Sequence, residues 1–149
     1  MKILFYDTKS YDREFFEKLL PSYPGIEIKF IEANIHEETA ALAHGYDAIC
    51  AFVNADLGAP VIEELHRQGV KLILMRCAGY NNVDLETSAK CGIQVARVPG
   101  YSPEAVAEHA MALALTANRH THKAYIKCRE NNFALNGLMG VNFYQKTAG

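Results

Sequence analysis

The sequence predicts an α/β fold: a flavodoxin-like, doubly wound sheet of five parallel strands in the order 2-1-3-4-5, followed by a long C-terminal connector helix. Short apolar runs alternate five times with amphipathic segments, and strict strand–helix alternation produces parallel strands covered by helices. Five such units cannot close an eight-stranded barrel, so the sheet is open. The second apolar run alternates with charged residues, which places this strand at a sheet edge.

Three strands and two helices are predicted in the first third of the chain. The strands are short apolar runs, and the helices have apolar residues at helical spacing. In chain order, these elements cover residues 2–6 (strand), 10–20 (helix), 26–31 (strand), 37–44 (helix) and 48–53 (strand). Pro21 and Gly45 follow the two helices and are typical helix-ending residues.

Two further helices and two further strands complete the predicted sheet. A helix over 60–68 begins with Pro60 and is followed by Gly69, the usual asymmetry of helix ends. The remaining elements are a strand over 70–75, a helix over 85–91 and a strand over 93–98. Ligands of open parallel sheets bind in a crevice beyond the carboxyl ends of the strands. The loops that follow the strands are therefore where a site is expected.

A second unit is predicted from Ser102 onward, so that the two domains cover residues 1–101 and 102–149. Ser102 is a suitable N-cap, and Pro103 suits the first helical turn. No strong helix breaker follows until about Asn131, which predicts a helix on the order of 40 Å long. Such a helix is a connector between domains or a subunit contact, and ordinary core packing is an equal alternative.

Composition and charge exclude several classes of function. Hydrophobic residues make up 50% of the chain and charged residues 21%, the balance of a globular protein. The formal net charge of -2 gives no basic field for nucleic acid. No apolar run is long enough for a secretory leader or a membrane span, so we expect a cytoplasmic protein without membrane partners. The four cysteines form no CxxC pair and are expected to be reduced packing residues, not metal ligands (Cys50, Cys77, Cys91 and Cys128).

The loop at residues 76–84 leaves a buried strand at the predicted crevice. Ala78 and Gly79 expose backbone there, so that their N–H groups can approach an anion such as a carboxylate. A tight turn that merely requires Gly79 is the alternative, and periodicity alone favours it. Phe52, at the end of the third strand, is a candidate apolar wall or a core residue. Tyr101 is a candidate hydroxyl donor at the same rim.

Other chemistry-bearing residues give weaker signals. Arg76 ends a buried strand and either pairs with an acid such as Asp84 or holds an anionic ligand. His109, in the long helix, is better explained as a packed or capped histidine than as a general base. His120 and His122 point about 200° apart on a continuous helix, so they cannot chelate one metal ion together. No GxGxxG phosphate-binding motif occurs in the sequence.

Several segments together resemble the D-2-hydroxyacid dehydrogenase family, in particular its bacterial fermentative D-lactate dehydrogenases, over the whole chain. The segments that carry the resemblance are residues 1–11, AFVN at 51–54, RCAGYNNVD at 76–84, VPGYSPEAVAEHA at 98–110 and KTAG at 146–149. The resemblance implies that backbone N–H groups around Ala78 and Gly79 bind the substrate carboxylate. It also implies that Tyr101 contacts this carboxylate and that Phe52 borders the substrate.

Enzymes of this family are NAD-dependent and interconvert a 2-oxo acid such as pyruvate and a D-2-hydroxy acid such as D-lactate. Their catalytic arginine, glutamate and histidine, and their glycine-rich cofactor loop, follow the segment matching residues 146–149. The resemblance therefore implies no catalytic, NAD-binding or metal-binding residue in this chain, and we expect a truncated, inactive part of the enzyme. We also expect a homo-oligomer, because an uncovered apolar sheet face and the small residues from Ala105 to Ala117 favour self-association.

Two other classes of function remain open on the residues alone. A signalling receiver domain shares the five-unit sheet but needs a phosphorylatable acid after the third strand. The residues there are Phe52-Val53-Asn54-Ala55-Asp56, with no Asp at the strand end itself. A free-standing binding module for a small acid, without chemistry, is supported by chain length alone.

Overall fold

Five parallel strands form one sheet in the computed structural model, which describes residues 1–147. The strands are β1 (Lys2–Phe5), β2 (Glu27–Phe30), β3 (Ala48–Ala51), β4 (Leu72–Met75) and β5 (Gln94–Arg97). Their order, β2-β1-β3-β4-β5, and the edge position of β2 confirm the predicted topology. In β2 the charged side chains are exposed and the apolar ones half-buried, which is the alternation that predicted an edge strand.

Helices follow each of the first four strands, and two more follow β5. Their bounds are α1 (Ser10–Leu19), α2 (Glu37–Ala40), α3 (Ala59–Arg67), α4 (Leu85–Lys90), α5 (Pro103–Arg119) and α6 (Thr121–Arg129). Short 3-10 turns, Leu20–Ser22 and Ala41–Ala43, extend α1 and α2. The three glycines that were predicted to end helices have left-handed backbone, which confirms their role (Gly45, Gly69 and Gly92).

The two faces of the sheet are covered by different helices. On one face, α1 places the ring of Phe16 5.1 Å from that of Phe5, and Phe30 of β2 lies 5.3 Å from the same ring. The other face carries the larger core, which includes Leu4, Ile49 and Ile73 of the strands and Val61, Ile62 and Leu65 of α3. Burial of each aliphatic side chain of this kind stabilises the folded state by about 1.5–3 kcal/mol relative to leaving it exposed to water. The core therefore fixes the sheet, and with it the loops at the strand ends.

Part of the face that carries α1 has little cover. Leu72 and Leu74 of β4 are half-buried, and Ala96, which pairs with Leu74 on β5, is exposed. Apolar residues of β4 and β5 thus keep some exposed surface on this face.

The predicted continuous helix from Ser102 to about Asn131 is wrong. His120 has φ 51° and ψ 34°, a left-handed conformation that ends α5 and starts α6. The 17 residues of α5 still form a long helix, of about 25 Å at 1.5 Å per residue. No glycine or proline signals this break, but histidine enters left-handed backbone more readily than most residues. Ser102 is also left-handed and makes no side-chain cap, so the predicted capping role was wrong.

The chain divides into two compact units, Met1–Tyr101 and a second one that begins at Ser102. The first unit holds the sheet and α1 to α4. In the second, neither α5 nor α6 contains a buried residue. Among residues 1–147, no helix combines the length and the apolar character needed to cross a membrane.

Candidate active site

A cavity of about 450 Å³ lies at the carboxyl ends of the strands. Residues that follow all five strands line it, together with α1 residues: Asp7, Lys9, Tyr11, Asp12, Asn34, Phe52, Asn54, Arg76 and Tyr101. In this sheet the strand order reverses between β1 and β3, and the crevice at such a reversal is where ligands of doubly wound folds bind. The location therefore agrees with the crevice expected from the sequence.

Two of the four predicted site residues, Phe52 and Tyr101, line this cavity together. Phe52 follows β3 directly and is half-buried, with part of its surface against the main core. Both earlier interpretations of Phe52, as cavity wall and as core residue, thus describe part of its surroundings. Tyr101 is 55% exposed, which leaves its hydroxyl accessible at the rim.

Ala78 and Gly79 are not among the residues that line the cavity, but they follow the lining residue Arg76 by two and three positions. Ala78 is half-buried and Gly79 is exposed. Within residues 1–147, neither of their N–H groups donates a hydrogen bond to a protein acceptor. Two adjacent peptide N–H groups without protein acceptors can bind a carboxylate.

The backbone at Gly79 gives no structural reason for a glycine. Its φ lies outside the left-handed region, and an added Cβ would meet no atom within 4 Å. A turn that requires glycine, the alternative favoured by periodicity, is therefore not what the structure shows. Open space beside this residue leaves room for a ligand to approach the main chain.

Arg76 is paired with acids, but Asp84 was the wrong partner. Its guanidinium lies 3.7 Å from the carboxylate of Asp7 and 3.9 Å from that of Asp12. Asp84 instead caps α4, where its side chain accepts a hydrogen bond from the N–H of Thr87 at 2.9 Å. The sequence identified the acidic pairing of Arg76 but not which loop supplies the acids.

Hydrogen bonds join the loops after β2, β3 and β4 to one another. The side-chain amide of Asn82 donates to the carbonyls of Phe52 (3.3 Å) and Ala55 (2.9 Å). Asn34 donates to the carbonyl of Asn54 at 2.9 Å. A bridge between Leu57 and Val83 adds a main-chain link. Because the loops are held together, their side chains keep a fixed arrangement around the cavity.

Sequence reasoning missed the contribution of the loop after β1. Asp7 has a left-handed backbone (φ 50°), and its carboxylate accepts a hydrogen bond from the ammonium group of Lys9 at 2.7 Å. Asp7 and Asp12 both line the cavity. Hydrogen bonding to Asp7 raises the pKa of Lys9, so this amine stays charged. The available signal was position: Asp7 lies two residues after β1, the strand that flanks the reversal of strand order.

The remaining titratable candidates lie away from the cavity. His109 is exposed on α5, so its prediction as a packed residue was wrong. Cys50 and Cys77 are buried, as expected, whereas Cys91 is half-buried and Cys128 is exposed. Burial raises the pKa of Cys50 to about 11 and also raises that of Cys77, which keeps both thiols protonated and unreactive. Residues 1–147 contain no cluster of side chains able to hold a metal ion.

Comparison with known families decides the assignment. The family model of the D-isomer specific 2-hydroxyacid dehydrogenase catalytic domain matches residues 3–147. The chain belongs to this family. It is 48% identical over its full length to the D-lactate dehydrogenase of Escherichia coli and 48% identical to a 2-hydroxyacid dehydrogenase homologue of Haemophilus influenzae, covering 45% of each. The chain thus spans less than half the length of these curated relatives.

Solved structures of family members give the same result. The apo-structure of the Escherichia coli D-lactate dehydrogenase matches with a TM-score of 0.85 at 48% identity, covering 95% of this chain and 44% of that one. The Aquifex aeolicus D-lactate dehydrogenase, solved with NAD and lactic acid, matches at 25% identity with a TM-score of 0.73, covering 95% and 41%. Family membership leaves the receiver-like alternative without support.

The residues described here do not fit NAD. Pyrophosphate binding in this fold class needs a glycine-rich turn between a strand and a helix N-terminus. The nearest candidates, Gly137 and Gly140, lie in a turn and an irregular segment with no adjoining strand or helix. No chemical step through NAD is therefore assigned to these side chains.

Proposed function

We propose that this chain is the substrate-side part of an NAD-dependent D-lactate dehydrogenase, in which it binds pyruvate and its reduction product D-lactate. The observation that supports the proposal best is the pair of N–H groups at Ala78 and Gly79, which have no protein acceptor within the described residues. They follow Arg76, whose side chain lines the same cavity as Phe52 and Tyr101.

Each proposed binding residue has a separate role. The two N–H groups hold the substrate carboxylate, since charge-assisted hydrogen bonds to main-chain donors are stronger than neutral ones. The hydroxyl of Tyr101 donates to the same carboxylate from the rim. Phe52 forms the apolar wall against the substrate methyl group. Asp7 and Asp12 neutralise the positive charges of Lys9 and Arg76 in the cavity. These two cations are therefore not free to bind a second carboxylate, which favours a small acid with only one.

Hydride and proton transfer need groups that these residues do not supply. The family resemblance places the proton donor, the carbonyl-polarising arginine and the cofactor loop after the segment matching residues 146–149, whose Ala148 and Gly149 lie outside the described residues. We therefore expect that a polypeptide of residues 1–149 alone neither binds NADH nor oxidises it in the presence of pyruvate. Pyruvate-dependent NADH oxidation by the purified polypeptide would contradict this expectation.

The two units are proposed to have different roles in the enzyme. Residues 1–101 form the substrate domain, and residues 102–149 contain the connector helix and the beginning of the nucleotide-binding domain. Exposed apolar side chains of α5, such as Val106, Met111 and Leu113, support self-association through this unit. A single monomeric species in sedimentation velocity at high protein concentration would contradict the homo-oligomer.

The carboxylate role is testable on the chain itself by titration with pyruvate, followed in amide proton–nitrogen correlation NMR spectra. A carboxylate bound to the main chain moves the amide protons of Ala78 and Gly79 downfield. Phe52→Leu is the matched control, because it alters the apolar wall and leaves these donors in place, so the shifts persist in this variant. Unmoved signals at both residues with saturating pyruvate would reject the proposal.

A further inference from the structure

We propose that Arg76 is a positioning residue, which holds the ring of Phe52 in the cavity wall and so sets the size of substrate side group that the cavity accepts. This inference rests on the proposed function, because it takes Phe52 as the residue that borders the substrate.

The guanidinium of Arg76 lies over two aromatic rings. Its central carbon is 4.6 Å from the ring centroid of Phe5 and 4.9 Å from that of Phe52. Phe5 is fully buried in the sheet and is a fixed base for the stack. A planar guanidinium stacks on aromatic faces in a way that an ammonium group does not reproduce. Arg76 therefore connects the ring of Phe52 to Phe5, in addition to the direct contact that Phe52 makes with the main core.

Further contacts fix the guanidinium itself. It donates to the main-chain carbonyls of Tyr6 at 3.1 Å and Asp7 at 2.8 Å, and it lies near the carboxylates of Asp7 and Asp12. The side chain is only 14% exposed. Its charge and donors are thus used within the protein, which argues against the alternative that Arg76 holds an anionic ligand.

The main chain of Phe52 is held independently of its ring. The carbonyl of Phe52 accepts a hydrogen bond from Asn82, and that contact does not involve Arg76. Loss of the stack should therefore remove the support on the side of the ring that faces Arg76, while the loop stays in place. A ring without this support tolerates larger side groups, so the consequence is a change in discrimination between substrates.

The test compares the Kd of pyruvate with that of phenylpyruvate, measured on this chain by NMR titration. Arg76→Lys keeps a positive charge near Asp7 and Asp12 but loses the stacked plane, whereas Arg76→Met loses both. We expect the ratio of the phenylpyruvate Kd to the pyruvate Kd to fall about fivefold in both variants, which corresponds to about 1 kcal/mol. If Arg76→Met does not fold, Arg76→Lys carries the test alone.

A double-mutant cycle separates positioning from a general structural role. In a Phe52→Leu background the Arg76 substitutions should leave the Kd ratio unchanged, because the ring through which Arg76 acts is absent. A fivefold change that persists in this background overturns the inference, as does an unchanged ratio in the single variants when wild-type protein binds pyruvate. Wild-type protein that shows no pyruvate shift at Ala78 and Gly79 overturns the proposed function as well, so the two failures are distinguishable.

Discussion

The first unit (residues 1–101, the sheet unit) and the second unit (from Ser102, the helical unit) are held together in different ways. In residues 1–101 the sheet and its helices enclose a core in which residues such as Ile49 and Leu65 have no exposed surface. In α5 and α6 no residue is buried, and Leu113 is 57% exposed. In proteins, most of the stability of a helix comes from the tertiary packing of an apolar face. The free energy of folding thus comes mainly from the unit that carries the cavity.

Truncation of matched leucines should give the largest difference between the units. Leu65→Ala removes a fully buried side chain of α3 and should lower the free energy of unfolding by about 3 kcal/mol. Leu113→Ala, on α5, should change it by less than about 0.5 kcal/mol at protein concentrations low enough to keep the chain monomeric. Urea unfolding of both variants measures this contrast. Equal losses would show that the second unit has a core of its own in solution.

Gly140→Ala tests the contact between Asn118 of α5 and the segment at residues 140–141. A Cβ at residue 140 would overlap the carbonyl of Asn118, whose side chain bonds both the N–H (2.9 Å) and the carbonyl (2.7 Å) of Val141. Overpacking of this kind costs about 1–3 kcal/mol. Hydrogen exchange at the Val141 amide should therefore accelerate. Gly100→Ala, with open space around its Cβ, is the control and should leave this rate unchanged.

The N-terminal caps of α4 and α5 should differ by a smaller amount in their contribution to stability, and the contribution of the α4 cap should depend on pH. Hydrogen bonds from Thr87 lower the pKa of Asp84 below its ordinary value of 3.8. Because the folded-state pKa is the lower one, the stabilisation is complete above the unfolded value and is lost as the pH falls through the folded one. Asp84→Ala should lower the urea midpoint of unfolding at neutral pH. The difference between the midpoints of variant and wild type should become smaller below pH 3.8.

Ser102→Ala is the matched change at the start of α5, where the serine makes no side-chain cap. It should leave the urea midpoint unchanged at every pH. A loss comparable to that of Asp84→Ala would show that Ser102 caps α5 in solution.

Substitution of His120, where α5 ends and α6 begins, should give the smallest change in stability. The sign of that change distinguishes a broken helix from a continuous one. His120→Gly should be neutral or slightly stabilising, because glycine adopts the left-handed backbone found there without strain. In a continuous helix the same change would cost about 1 kcal/mol relative to alanine. Helix content by circular dichroism, compared between His120→Gly and His120→Ala, distinguishes the two. Higher helicity of His120→Ala would support the continuous helix.

Local patterns were sufficient to predict the sheet unit. Apolar runs, helix-ending glycines and the alternation in Glu27–Phe30 each follow from short-range chemistry, and strict strand–helix alternation then restricts the topology to few choices. The break at His120 could not be predicted in this way, since neither neighbouring residue is a glycine or proline.

The residues of the candidate site come from loops that are distant in sequence, so only part of the site could be predicted without the structure. Phe52 lies at the end of the predicted third strand and Tyr101 follows the predicted fifth, and both were found from these positions. The pairing of Arg76 with Asp7 joins residues 69 positions apart, and choosing Asp7 over Asp84 requires knowing that the loop after β1 reaches the end of β4 across the intervening β3. Whether Gly79 has a structural role could be judged only from its backbone angle and its empty surroundings.

The bridge between Leu57 and Val83 has a consequence for how this pocket can change in evolution. With Asn82 bonded to Phe52 and Ala55, an insertion in either loop would break the pairing and move the main chain near Ala78. Surface loops usually tolerate changes in length, but these two are coupled in register. New substrate preferences should therefore arise here by exchange of side chains, with the number of residues in each loop kept constant.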